Sequence, residues 1–289
     1  MDMIEEIILI GITLIWLVIA SFHDIKTREI PDWISFSLIG LAFVARGITS
    51  LREGSAYPLL WTGIGLVIGI AFSLLLYYTK QWGGGDAKLF MAIGSVFILF
   101  PKVMLPYVNP KLDLPFLLII GINIIIIAVI YSIGYILYQA LKKKKLYKEQ
   151  FKKINVKKTK IISASIAAII FIFALTLEEQ AVELSIIALL ILILPYIIIL
   201  TKITENISMI QEIPLSKVTE GDWLAENVYH NHTIILKKSK PEITKQDIEK
   251  LRKLHIQKIK IKVGIPFVPV FLVASIISLV WGNIFIRVF

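Results

Sequence analysis

The chain has 289 residues, of which 57% are hydrophobic and 18% charged, with a mean hydropathy of +0.79. Apolar residues at that density, gathered in long blocks, exclude an ordinary soluble domain and mark a polytopic membrane protein. Cysteine is absent, which excludes disulfides, thiolate zinc sites and a cysteine nucleophile; the formal charge of +10 fits basic cytoplasmic loops rather than a nucleic-acid partner.

A membrane span needs about 20 apolar residues. Eight segments are candidates: 4–22, 33–51, 57–79, 87–101, 115–141, 161–177, 181–201 and 266–286. The first run starts at Ile4 after acidic residues, has no small-residue cleavage site behind it, and reads as a retained span. The fourth is short. At 1.5 Å per residue it covers about two thirds of a hydrocarbon core of about 30 Å, so the glycine-rich segment before it is expected to dip below the surface. The expected fold is an all-α polytopic membrane protein of about eight transmembrane helices, with a small α+β cytoplasmic module before the last helix.

Basic residues set the orientation. Lys26 and Arg28 lie in the first loop and Lys80 and Lys88 in the third. Ten lysines lie in 142–160, and twelve basic residues between Lys202 and Lys262. Placing those loops inside leaves five basic residues outside: Arg46, Arg52, Lys102, Lys111 and Arg287. Asp2, Glu5, Glu6 and a turn at Glu178-Glu179 then also lie outside, and both termini face outward. The lysine loop 142–160 reads as a helical extension of its neighbours resting on anionic headgroups. The membrane domain is then 1–202, with loops 23–32 and 80–88 carrying its chemistry, and the last transmembrane helix lies within 265–289.

Residues 203–264 form the one sizeable polar segment. Leu215–Asp222 reads as a strand end and turn, Ile234–Leu236 as a short strand and Ile256–Val263 as an alternating strand. Thr244, three residues before Asp247, opens a helix to about Leu254. About 60 residues make a marginal core, so the module is expected to rest on the membrane face.

The segment Gly83-Gly84-Gly85-Asp86-Ala87-Lys88 places a carboxylate at the edge of the fourth span, where an ionisable group is costly and is read as functional. A second carboxylate, Asp24, directly follows the first span, in Asp24-Ile25-Lys26. The orientation puts both on the cytoplasmic side at similar depth, and two spans packed side by side would bring them together. Carboxylates sharing one site hold one proton between them. The ionised partner takes a proton from water and the protonated one donates to a carbonyl oxygen, which is general acid–base peptide hydrolysis without metal or cofactor. The competing reading is that Asp86 merely complements a helix N-terminus. Asp32 after Pro31 is ordinary helix-start chemistry for the second span. Positions i and i+2 do not face each other on a helix, so Lys26 and Lys88 are expected to reach headgroup phosphate rather than their own Asp. His23 is read as an interfacial, solvated side chain. His230-Asn231-His232 reads as a turn, and with His255 gives only weak evidence for metal.

These residues resemble the type IV prepilin and preflagellin peptidases, membrane aspartic proteases of the Gly-x-Gly-Asp type. The resemblance rests on Asp24, on Ile30-Pro31-Asp32 and on Gly83, Gly85, Asp86 and Lys88, and covers 1–101. A weaker likeness to archaeal members covers about 212–275, from Gly221-Asp222-Trp223-Leu224-Ala225-Glu226 to Gly264-Ile265-Pro266-Phe267-Val268-Pro269. The resemblance implies catalytic roles for Asp24 and Asp86. It also implies a pilin-like or archaellin precursor as substrate, with a short basic leader cut at the cytoplasmic membrane edge before its apolar helix. Many bacterial relatives add a four-cysteine zinc segment and methylate the new N-terminus. With no cysteine and a short first loop, this chain is expected to be a peptidase without methyltransferase activity, of archaeal type.

Three rival readings stay open. A presenilin-like protease uses the same motif but cuts within the apolar helix. A transporter or channel would use carboxylates in a polar pathway, although the span interiors offer chiefly Asn123 and Gly63, Gly65 and Gly69, which more simply serve close packing. An inert scaffold for pilus assembly would not need both carboxylates.

Overall fold

A computed structural model describes residues 3–107, 114–154, 157–177, 181–231, 233–240 and 242–284. Asp2, Lys111, Glu178, Glu179, His232 and Arg287 lie outside the described residues. The chain divides into two compact units, Met1–Ile130 with Glu212–Phe289, and Tyr131–Gln211.

The first unit opens with α1 (Met3–Thr27), α2 (Asp32–Glu53) and α3 (Tyr57–Tyr78). Pro31 caps α2 in extended conformation, and Gly54 ends it at φ +60°, its N–H returned to the Ser50 carbonyl. A short helix, α4 (Gly84–Val96), packs against α2 and α3. The α3–α4 contact is backbone on backbone. A Cβ at Gly94 would stand 2.6 Å from the Gly65 carbonyl oxygen, and one at Gly69 would stand 3.2 Å from the Met91 Cα. Close approach through small residues is how helices associate where lipid removes the hydrophobic drive. The Ser73 hydroxyl adds a buried bond to the Ala87 carbonyl at 2.9 Å. Gly63 has nothing near it and takes no part.

The unit continues through the start of α5 (Phe116–Lys142) and closes with α10 (Val268–Trp281), which packs against α1. Asn123 of α5 is fully buried and tied to the end of α10. Its amide donates to the Ser278 hydroxyl (2.7 Å) and the Gly282 carbonyl (2.8 Å), and its oxygen accepts from the Ile284 N–H (3.1 Å). The polar atoms weighed above as part of a pathway are therefore engaged in fastening two helices.

Between α5 and α10 in sequence, the first unit contains the strand module. β1 (Ile210–Pro214), β5 (Lys258–Lys262) and β2 (Trp223–Leu224) form a sheet in the order β1-β5-β2, with Trp223 opposite Lys262. β3 (Val228–His230) and β4 (Thr233–Leu236) form a hairpin turned at Asn231, φ +48°. The helix α9 (Lys245–Lys253) starts as expected, with the Thr244 hydroxyl accepting from the Asp247 N–H and the Asp247 carboxylate accepting from the Thr244 N–H. Leu215, Val218, Leu224, Val228, Leu236, Ile243, Leu251, Ile259 and Ile261 make its core. Leu215–Lys217 is a 3₁₀ turn rather than a strand end, and the strand lies just upstream in β1.

The second unit holds the rest of α5, then α6 (Lys144–Lys153), α7 (Lys157–Ala174) and α8 (Ala181–Thr204), which runs into a π-helical turn at Glu205–Met209. The expected lysine loop is thus mostly helix. Tyr147 of α6 donates to the Thr204 hydroxyl at 2.8 Å, over a small core with Ile199 and Ile203. Lys160 stands over the rings of Phe151 (5.4 Å) and Tyr196 (4.7 Å), a cation–π use of a lysine expected at headgroups.

Among the described residues five helices are long and apolar enough to cross a membrane: α1, α2, α3, α5 and the segment Leu184–Met209. The other three expected spans fall short of that standard. α4 has 13 residues and α10 has 14, while the 18-residue α7 begins with three lysines in four positions. The chain is mostly helical with a small strand module near its C-terminus.

Candidate active site

The glycine segment does not form a separate re-entrant turn. Gly83, extended at ψ 167°, is the N-cap of α4, and Gly84 and Gly85 belong to its first turn. Asp86, the third residue of α4, reaches back so that its Oδ2 accepts the Gly83 N–H at 3.2 Å. This is half of a capping box, since glycine has no side chain to reciprocate. The helix-start reading of Asp86 is therefore correct as local structure, and it leaves one carboxylate oxygen outside the cap. Gly85 is required by its neighbour: a Cβ there would meet the Ile30 side chain at 3.1 Å, so the first loop lies directly on the motif.

Asp24 lies in the last turn of α1 and is buried, 6% exposed. Its Oδ2 accepts the Val268 N–H at 2.8 Å, at the start of α10. The same end of α10 meets the motif through an aromatic cluster. Trp82, buried beside Gly83, packs on Phe271 (5.2 Å between ring centres), Phe267 (6.4 Å) and Phe90 (5.3 Å). The start of α10 thus touches both acidic segments, Asp24 by its backbone and Gly83 through Trp82.

The charge of Asp24 bears on Asp86. Asp86 lies outside the five candidate spans. Burial pushes its carboxyl up from the ordinary 3.8 to about 7, with the charge of Asp24 adding to the push and the Gly83 N–H opposing it. A carboxyl poised near neutrality can hold or release a proton at physiological pH. One protonated and one ionised carboxylate at a single rim can move a proton in each direction.

The supporting residues are placed differently from expectation. Lys88 does not pair with Asp86, as expected, but it does not stand free for headgroups: its Nζ bonds Asp32 Oδ1 at 2.6 Å. That pair ties the start of α2, behind Pro31, to the first turn of α4. Lys26 is exposed with its ammonium 5.9 Å from the Phe22 ring. Among the described residues no three histidine or carboxylate side chains converge as a metal site would need.

The sequence reading missed several partners. Arg28 Nη1 donates to the Gly264 carbonyl at 2.7 Å, and the Thr219 hydroxyl bonds Glu29 Oε1 at 3.3 Å. Glu242 Oε1 lies 3.7 Å from where a Gly84 Cβ would be. Lys80 Nζ donates to the Ser239 carbonyl at 3.1 Å. Asp222, held by the Thr219 N–H at 2.8 Å, has its carboxyl raised by burial and by Glu29 against that bond. The weak likeness over 212–275 was the signal that this segment belongs with the motif.

Fold and site together define a class: a multi-pass membrane protein in which the Asp24 and Asp86 segments both meet the start of α10. Residues 11–137 match the type IV leader peptidase family. Prepilin peptidase EppA of Methanothermobacter thermautotrophicus is 31% identical over 102 residues, 35% of this chain and 26% of that relative. The preflagellin peptidase of Methanocaldococcus jannaschii is 29% identical over 96 residues, 33% of this chain and 39% of the relative. That of Methanococcus voltae is 33% identical over 98 residues, 33% of this chain and 40% of the relative. The matched stretch thus spans between about a quarter and two fifths of these relatives. No solved structure matches.

Proposed function

We propose that the protein is a membrane aspartic endopeptidase that removes the leader of type IV pilin-like or archaellin precursors. Asp24 and Asp86 are its catalytic pair, and it needs neither metal nor cofactor. The ionised carboxylate takes a proton from water as the water oxygen attacks the scissile carbonyl carbon. The protonated carboxyl gives its proton to the carbonyl oxygen. The resulting gem-diol collapses as the first carboxyl returns its proton to the leaving nitrogen, and the second takes a proton from the diol, so the pair ends with one proton as it began.

The observation that carries this reading is that both acidic segments, inside a stretch matched to the type IV leader peptidase family, meet the start of α10, Asp24 by its bond to the Val268 N–H and the Asp86 motif through Trp82. The names of the relatives supply the substrate class. Cleavage at the cytoplasmic membrane face is supported by the basic residues crowded on one side of the predicted topology. In this reading 87–101, 161–177 and 266–286 complete eight crossings, with Asp86 at the edge of the fourth, 1–202 and 265–289 forming the membrane domain and 203–264 in the cytoplasm. Lipid at the rim and the precursor are its partners. Purified protein in vesicles, incubated with a synthetic leader–helix peptide and read by mass spectrometry, tests it. A single cut before the apolar stretch is expected, and a cut within that stretch would replace this reading with an intramembrane one.

A further inference from the structure

The strand module reaches both segments that carry the carboxylates. On the Asp24 side, Arg28 bonds the Gly264 carbonyl and Glu29 accepts from Thr219. On the Asp86 side, Lys80 bonds the Ser239 carbonyl, and Glu242 lies against Gly84. These contacts come from separate parts of the module: the turn before β2, the loop after β4, and the end of β5. Pulling any one free leaves the others in place, so together they fix the orientation of the module, which a single tether would not.

Three of the four described non-glycine residues with positive φ, Arg28 (63°), Lys80 (58°) and His255 (54°), lie just past the ends of α1, α3 and α9, the ordinary left-handed close of a helix. Arg28 comes just after Asp24 and Lys80 just before the glycine motif, so the helix ends beside the two acidic segments also carry the basic side chains that reach the module.

We infer that the strand module is a clamp that sets the separation of Asp24 and Asp86, with Arg28 and Lys80 as its positioning residues. In its effect on turnover the inference rests on the peptidase reading above; in its geometry it does not. A carboxylate pair that must share a proton tolerates little displacement, and misplacement by about 1 Å costs about 10²-fold in rate.

The absence of cysteine allows a direct test. Thr27 and Gln81 are exposed and flank the two acidic segments. Spin labels at Thr27→Cys and Gln81→Cys in the full chain, in vesicles, report their separation by double electron–electron resonance. Arg28→Ala and Lys80→Ala each remove a donor to a carbonyl of the module, and Arg28→Lys and Lys80→Arg keep one.

The clamp requires that Arg28→Ala and Lys80→Ala each broaden the label–label distribution, and that the double variant lower kcat about tenfold or more with KM within about twofold. Arg28→Lys and Lys80→Arg should keep the narrow distribution and nearly full kcat. An unchanged distribution in the double Ala variant overturns the clamp whatever the activity. A raised KM with an unchanged distribution overturns it in favour of the two cations as substrate contacts. If the unsubstituted protein cuts no leader peptide while the distributions behave as required, the peptidase reading fails and the clamp stands.

Discussion

Asp86→Asn should stabilise the protein as the pH rises. The native site holds the Asp86 carboxyl near 7 against an ordinary 3.8, chiefly by burial. The folded chain therefore binds this proton more tightly than the unfolded chain. Stability from this group is greatest below about pH 4, falls as pH rises from about 4 to about 7, and is fully lost above that. The gap corresponds to about 4 kcal/mol at 1.36 kcal/mol per pH unit. The carboxyl is only partly buried, and screening by solvent brings the expected figure to about 2 kcal/mol. Asparagine does not titrate, keeps an oxygen for the Gly83 N–H, and removes the repulsion from Asp24. Unfolding of the two proteins in the same detergent, followed at pH 4 and pH 8, gives a double difference in which other groups cancel. Asp86→Asn should gain about 2 kcal/mol on the native protein between the two pH values. No gain, or a loss, would show that Asp86 is an ordinary solvated helix cap.

Other outcomes follow from named contacts. Asp24→Asn and Asp86→Asn should each lower cleavage of a leader peptide by at least about 10³-fold, and the double variant should be no worse than either, because the pair acts as a unit. Asp32→Asn, which loses only the exposed pair with Lys88, should cost about twofold to threefold in the same assay. Gly94→Ala drives a Cβ into the Gly65 carbonyl and should lower stability by about 1–3 kcal/mol, whereas Gly63→Ala, with open space, should be neutral in a thermal melt. In the module, burial would raise the Asp247 carboxyl, but Lys240 and Thr244 outweigh it and hold the carboxyl below its ordinary range. Its contribution is present above about pH 4 and is lost as pH falls further. Thr244→Ala should cost α9 about 1 kcal/mol, read as faster hydrogen exchange at 245–253.

What the sequence could reveal was local. Long apolar runs gave most of the helices. The Thr244–Asp247 spacing gave the start of α9, and the glycine motif gave the position of Asp86, because each signal lies within a few residues of its effect. What it could not reveal were partners far apart in the chain. Asp24 is bonded by Val268, 244 residues away, and Lys80 by Ser239, 159 away. No periodicity encodes such pairs. Lys88 was aimed at lipid because neighbour rules apply within one helix, while Asp32 approaches it from another. The lysine run read as a helical extension of its neighbours, lysine being a good helix former, and α6 takes up most of it. Trp82 carried no sequence signal, and its burial against α10 appears only once the helices are packed.

The most direct measurement is single-turnover cleavage of a synthetic leader–helix peptide by purified protein, beside its Asp24→Asn and Asp86→Asn variants, with products weighed by mass spectrometry. The proposed pair predicts one cut at the leader boundary with the unsubstituted protein and none with either variant, all three inserting equally into membranes. Full cleavage by Asp86→Asn, or by Asp24→Asn, would contradict it.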